Sequence, residues 1–447
     1  MLPTRITTNQ SFLDRFFKLR QKKTNVKTEI LAGITTFVAL AYIIFVNPNI
    51  LADAGIPKEA AIASTIYATV LATILMSLWA NYPIAVAPGM GLNAFFAYYV
   101  VGVLKLPWQV ALGAVFISGI LFLILTMGGI RRAIIKAVPM NLKCSIGVGI
   151  GLFIAFIGLK NSGIIIADKA TFITVGKLTA LEPLLACFGL LLTAVLMARS
   201  VKGSMLIGIL ITTILGMIFG AVPTPKSIGD IMSFNIPSVM PTFMQLDIIG
   251  AWEYGIFSII FTFTIVELFD NMGTLIGLTR KAKLMDDKGN IENLDKALTT
   301  DAVGTVVSAV LGTSTVTSYV ESAAGIAEGG KTGLTSLTVA VLFIVALLFA
   351  PLIGLVPSFA TAPALIVVGA LMMAEISQVS FQDVTDGLPA FLTIIMMPLT
   401  FSIVNGFAFG FISYTFIKSL TGKAKEVSWI MWAVSLAFLI NFYMRLH

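Results

Sequence analysis

The chain has 447 residues, of which 57% are hydrophobic and only 11% charged, with a formal net charge of +7. A soluble domain carries roughly 25% charged residues, so this chain cannot cover a globule with polar surface and reads as an all-α polytopic membrane protein. The basic excess is explained by membrane topology and does not call for nucleic acid. Cys144 and Cys187 lie in or beside apolar stretches without metal spacing, and no cofactor is expected.

Residues 1–27 carry Arg5, Arg15, Lys18, Arg20, Lys22, Lys23 and Lys27 with no apolar core ahead of the first span, which fits a basic cytoplasmic lead-in better than a cleavable signal. About 20 mainly apolar residues cross a bilayer as a helix. Spans follow near 30–52, 59–80, 84–104, 107–128, 145–161, 179–199 and 203–221. A polar, proline-containing connector occupies 222–250. Further spans lie near 251–279, 297–312, 314–330, 333–355, 361–377, 388–402 and 404–420. The tail, 421–447, holds one more apolar segment at 428–446. Basic residues cluster after even-numbered spans: Arg131, Arg132, Lys136 and Lys143; Arg199 and Lys202; Arg280, Lys281, Lys283 and Lys288; Lys331; Lys418, Lys423 and Lys425. The positive-inside rule puts all of these with the N-terminus in the cytoplasm.

Seven spans, a connector and seven spans suggest a repeat, 28–221 and 251–420. Lys136-Ala-Val-Pro139 and Gly354-Leu-Val-Pro357 echo one another, as do Val201-Lys-Gly203 and Val404-Asn-Gly406. An odd number of spans per half forces opposite orientations, the inverted-repeat plan of secondary transporters. Two segments at matching places are poor helices. The third span begins Pro83-Ile-Ala-Val-Ala-Pro-Gly-Met-Gly-Leu-Asn93, in which two prolines and two glycines resist a continuous helix. The tenth begins Gly312-Thr-Ser-Thr-Val-Thr-Ser-Tyr-Val-Glu321, rich in residues that favour extended backbone. Each is expected to be a short extended piece followed by a half-helix. Side by side they would pair with each other, and their half-helix N-termini would face a polar site near the midplane.

The eighth span carries Glu267 and Asp270, three residues apart and so on one helical face; Glu321 opens the half-helix of the tenth. Carboxylates at membrane depth cost several kcal/mol and usually line a functional cavity. The one histidine is His447, the last residue, so proton coupling would fall to carboxylates; sodium coupling through hydroxyls and carbonyls of Thr313–Ser318 remains open. No arginine or lysine lies deep in a span near these acids, which disfavours an anionic substrate. Carboxylate and amide acceptors suit a neutral ring with several N–H donors, and Phe95, Phe96, Phe263, Phe269 and Tyr319 could stack on it. A nucleobase fits that description better than a neutral amino acid or a polyol.

Asn47-Pro48, Ala87-Pro-Gly-Met-Gly-Leu-Asn-Ala-Phe-Phe96, Phe269-Asp-x-x-Gly-Thr-Leu275 and Thr313-Ser-x-x-Thr-Ser-Tyr-Val-Glu-Ser322 together resemble the nucleobase:cation symporter family, nearest its hypoxanthine/adenine/guanine permeases. The resemblance runs over nearly the whole chain. It implies two inverted seven-span repeats, short antiparallel strands from spans 3 and 10 meeting at the substrate, and a core domain moving against a gate domain. It implies proton-coupled purine uptake across the plasma membrane, with a homodimer as a further expectation; the alternative is a sodium-coupled or passive nucleobase facilitator. Asp270 and Glu321 match the family's acidic substrate and coupling positions, and Asn93 a polar position of span 3. Backbone N–H groups near Tyr319 and Val320 would meet a carbonyl or ring nitrogen, with Phe269 beside the ring. Glu267, one turn before Asp270, departs from the branch's usual pattern and is a candidate of uncertain role.

Gly325-Ile-Ala-Glu-Gly-Gly-Lys-Thr332 matches the phosphate-binding loop G-x-x-x-x-G-K-[ST]. Such a loop needs a buried strand before it and a helix after it in a water-filled nucleotide site. Here it ends one broken membrane segment and precedes another span. It is read as a turn, with Lys331 obeying the positive-inside rule and Glu328 solvated or paired with a nearby base. The chain shows no H-E-x-x-H or G-x-S-x-G motif, and an enzyme is not expected.

Overall fold

The computed structural model describes residues 11–127, 137–255, 259–284 and 291–444. Arg5, Arg131, Arg132, Lys136, Lys288 and His447 lie outside them. Among the described residues, 8 helices are long and apolar enough to cross a membrane: Val26–Asp53, Lys58–Ala80, Trp108–Met127, Met140–Asn161, Leu181–Ala198, Gly333–Leu355, Ser358–Gln378 and Ile403–Leu420, here spans 1, 2, 4, 5, 6, 11, 12 and 14. Met90–Val103, Ser204–Ile218 and Val384–Leu399 are shorter and belong to spans 3, 7 and 13. Phe261–Lys281 (span 8) and Leu294–Leu311 (span 9) are of spanning length but carry Glu267, Asp270 and Asp301 inside them.

Side-chain caps start several of these helices. Asn25 accepts from Thr28 N at 3.0 Å before span 1, Asp383 from Thr385 N at 2.9 Å before span 13, and Ser402 from Asn405 N at 3.3 Å before span 14. Each satisfies an N–H that has no partner within its helix.

The helices sort into two bundles. In one, span 11 packs on spans 1 and 2, span 9 on spans 2 and 4, and span 8 on span 4. In the other, span 12 packs on spans 5, 6 and 7, and span 13 on spans 5 and 14. Each bundle therefore takes equivalent spans from both halves, 1–4 with 8–11 and 5–7 with 12–14, as an internal repeat requires. The two broken segments meet inside the first bundle. Strands β1 (Val86–Pro88, span 3) and β4 (Val316–Ser318, span 10) pair antiparallel, with Val86 opposite Ser318 and Pro88 opposite Val316. Gly89 N to Thr315 O (2.9 Å) and Tyr319 N to Ala85 O (3.0 Å) extend the ladder at both ends. This pairing satisfies backbone that would otherwise be orphaned at membrane depth.

One feature differs from the sequence expectation. An exposed hairpin, β2 (Ile165–Asp168) with β3 (Phe172–Val175), stands between spans 5 and 6. Ile248–Gly255 is helical and packs on span 4, and span 8 is described from residue 259 through Lys281; residues 256–258 lie outside the described residues. The C-terminal helix Trp429–Met444 packs on span 14, where Ser435 Oγ bonds Thr415 Oγ1 at 2.8 Å.

Candidate substrate site

The strand pair fixes the layout. After β4 the chain turns through Tyr319 and Val320 into a short half-helix, Ser322–Ala327; after β1 it enters the half-helix Met90–Ala94. Glu321 sits at the first of these turns and is only partly buried. Asp270, in the middle of span 8, is likewise partly open, and the two carboxylates interact electrostatically. Glu321 Oε1 accepts a 2.7 Å hydrogen bond from the Tyr42 hydroxyl of span 1. Phe269 is partly open beside Asp270 and lies 6.3 and 6.5 Å, centroid to centroid, from Phe407 and Phe411 of span 14 in the second bundle. Val320 is exposed, and its N–H has no acceptor among the described residues. Asp270 and Glu321 thus face one another within the first bundle, and Phe269 beside them reaches span 14 of the second.

The other sequence candidates sit deeper. Glu267 is fully buried, and its Oε1 accepts from Thr305 Oγ1 of span 9 at 2.6 Å. Asn93 is fully buried too: its Nδ2 donates to Asn47 Oδ1 at 2.6 Å, and its Oδ1 accepts from Ser314 Oγ. Asn47 Nδ2 in turn donates to Thr65 Oγ1 (2.8 Å) and Thr313 Oγ1 (3.1 Å). This knot ties spans 1, 2 and 3 to the segment entering β4. The Tyr319 hydroxyl donates to Pro88 O across the strand pair. Phe95 and Phe263 pack edge to face at 5.0 Å and are fully buried, so they support the site without opening onto it.

Three further residues shape the site without having been singled out in the sequence. Tyr42 gave no signal, because an aromatic in an apolar span is ordinary. Asn271 Oδ1 accepts from Ser318 N at 3.0 Å, and Asp301 accepts from Ser318 Oγ at 3.2 Å, so spans 8 and 9 clamp the end of β4 from behind. Asp301 did carry a signal, an acid within an apolar span.

The phosphate-loop match has a structural answer. The N–H groups of Lys331 and Thr332 donate to Glu29 of span 1, at 3.0 Å to Oε1 and 3.2 Å to Oε2. Thr335 Oγ1 adds a 2.6 Å bond to Oε2. An internal carboxylate thus occupies the donors that a phosphate would use. Glu328 pairs with Lys202, N to O 2.7 Å.

Residues 27–409 match the permease family model Xan_ur_permease. The chain belongs to this permease family. It is 49% identical to the putative permease MJ0326 of Methanocaldococcus jannaschii, covering 96% of this chain and 98% of that one. It is 43% identical to the adenine permease AdeP of Escherichia coli (97% of each chain) and 44% identical to the guanine/hypoxanthine permease PbuG of Bacillus subtilis (96% of this chain, 98% of that one). Among solved structures, the transmembrane domain of the cyanobacterial bicarbonate transporter BicA superposes with a TM-score of 0.63 at 17% identity, over 84% of this chain and 96% of that one. SLC26A9 gives 0.64 at 11% identity, over 89% and 67%. At those identities the likeness establishes the fold: two inverted repeats of seven spans forming a core and a gate. The first bundle, with both strand-interrupted spans, is the core of this permease, and the second its gate. The permease is a multi-pass membrane transporter, not an enzyme.

Proposed function

We propose that this permease imports purine nucleobases together with protons across the plasma membrane, with its N-terminus in the cytoplasm. The observation that carries the reading is a pair of partly open carboxylates that interact, Glu321 at the turn out of the strand pair and Asp270 in the middle of span 8. The adenine and guanine/hypoxanthine permeases, similar over nearly their full length, supply the ligand class. A purine offers ring N–H donors to two carboxylates, a carbonyl or ring nitrogen to the Val320 N–H, and a flat face to Phe269. Carboxylate acceptors bond such donors more strongly than neutral ones. A proton taken up with the base lowers the charge of the carboxylate pair before the core moves against the gate. The core carries the site as a unit, because Asn47, Asn93 and Asp301 fasten the strands to spans 1, 3 and 9.

The test is uptake of labelled adenine, guanine and hypoxanthine in cells lacking their own purine permeases, with and without a protonophore, for wild type, Asp270→Asn and Glu321→Gln. Saturable uptake of at least one base, abolished by the protonophore and by either substitution, is the expected result. Uptake that survives the protonophore but follows the sodium gradient replaces the proton with sodium; survival without either gradient makes the protein a facilitator. No purine uptake from protein shown to be in the membrane removes the substrate assignment.

A further inference from the structure

Glu321 is the end point of a longer grip by span 1 on the tenth span. At one end of the grip, Glu29 holds the N–H groups of Lys331 and Thr332 that follow the half-helix. In its middle, Gly325 lies directly on span 1: a Cβ there would come 2.1 Å from Thr36 Oγ1 and 2.4 Å from Ala32 O, so only glycine permits the approach. At the other end stands Tyr42, at the interruption between Val26–Leu40 and Ile43–Asp53, with 1% exposure and its hydroxyl on Glu321 Oε1. The half-helix therefore cannot slide along span 1, and the phenol reaches Glu321 at a fixed place.

We infer that Tyr42 is a positioning residue for substrate recognition: its hydroxyl commits Oε1 of Glu321 and thereby holds Oε2 toward the base. This rests on the reading of Glu321 as a purine acceptor. A carboxylate without this bond rotates about its last torsion and has to be ordered when the base binds. A hydroxyl also suits a group that changes protonation, because it donates to a carboxylate and accepts from a carboxylic acid. The titratable groups facing Glu321 are Tyr42 of span 1, Tyr319 of its own span and Asp270 of span 8, with Glu375 of span 12 acting on Asp270 from the gate.

The experiment is a double-mutant cycle on purified protein, with Tyr42→Phe and Glu321→Gln alone and together. Equilibrium binding of the transported base is measured between about pH 5 and pH 9, and the initial uptake rate is measured in vesicles. Tyr42→Phe keeps the ring and removes only the hydroxyl. A hydrogen bond to a charged group outweighs a neutral one, so Tyr42→Phe is expected to weaken binding about tenfold alone and no more than about threefold in the Glu321→Gln background. The limb of the pH profile that reports Glu321 is expected to move in Tyr42→Phe. A purely structural role would leave that limb in place. Equal losses in both backgrounds, or binding by Tyr42→Phe within twofold of wild type, overturn the inference.

If the wild type binds no purine, the function proposed above falls, and the same cycle read on the melting temperature of ligand-free protein decides the Tyr42–Glu321 bond by itself. Additive melting shifts there, or variants too weakly bound for a binding cycle yet additive in melting, overturn it equally.

Discussion

Glu29→Ala tests whether the glycine-rich turn is held by a carboxylate from inside the protein. Glu29 is fully buried, and its Oε2 takes two donors, Thr332 N and Thr335 Oγ1, both of which belong to buried residues. Its Oε1 takes Lys331 N, whose residue is half-buried and can turn to water. Thr335 keeps a fallback in the Glu29 carbonyl at 3.3 Å, whereas Thr332 N keeps none among the described residues. One buried N–H left without a partner, together with the loss of charge-assisted bonds, costs about 3 kcal/mol for alanine. Glutamine keeps one oxygen for the two buried donors and turns its NH2 toward the wetter Lys331 N–H, for about 1 kcal/mol. The melting temperature in detergent is therefore expected to fall in the order Glu, Gln, Ala. Lys331→Ala is the control. Among the described residues, the Lys331 ammonium reaches only Lys23 O at 3.4 Å, so its removal should leave melting and uptake near wild type, and ATP should not stabilise either protein. An alanine variant that melts with wild type would refute the argument, and loss of uptake in Lys331→Ala would reopen the nucleotide reading.

Two further outcomes follow from the geometry. Gly325→Ala puts a methyl against Ala32 O and Thr36 Oγ1; overpacking of this kind costs about 1–3 kcal/mol, and displacement of Glu321 should lower uptake more than it lowers protein abundance. Asp383, at the start of span 13, accepts from the Lys423 ammonium at 2.8 Å and from Thr385 N at 2.9 Å, and these bonds, the ammonium first, hold its carboxyl well below the ordinary carboxylate range. A depressed carboxyl contributes stability above its unfolded value, near pH 4, and loses it as pH falls further. Melting should thus fall less between about pH 6 and pH 3 in Asp383→Asn than in wild type; parallel falls would remove Asp383 from the acid response.

The spans were legible because a bilayer demands apolar length, and the broken ones because prolines, glycines and β-branched residues contradict that length at Pro83–Asn93 and Gly312–Glu321. The β2–β3 hairpin was not. Its strands are largely exposed and pair only with each other, so no buried alternation marks them. At the site, the acids stood out because charge is rare in an apolar run. Their partners did not, since Tyr42 and Glu321 are 279 residues apart and Asn47 and Thr313 are 266 apart. No local pattern encodes such pairings; they exist only once the repeats have folded together.

Glu267 and Asp270 show how finely the helix separates roles that spacing alone joins. Three residues advance a helix by about 300°, which leaves the two side chains about 60° apart on one face. That angle suffices to send Glu267 into span 9, against Thr305, while Asp270 stays partly open and interacts with Glu321. Asp301 and Thr305, one turn apart on span 9, likewise meet β4 from behind, at Ser318 and beside Val316 O. These four acids of spans 8, 9 and 10 thus fall into two sets: Glu267 and Asp301 brace the strand, and Asp270 and Glu321, both partly open, are the pair proposed above to meet the base. Under the proposed function, the brace stays intact while the Asp270–Glu321 side gains and loses a proton and a ligand. On that proposal, the separation is what lets a core with extended backbone at its centre move against the gate as one body.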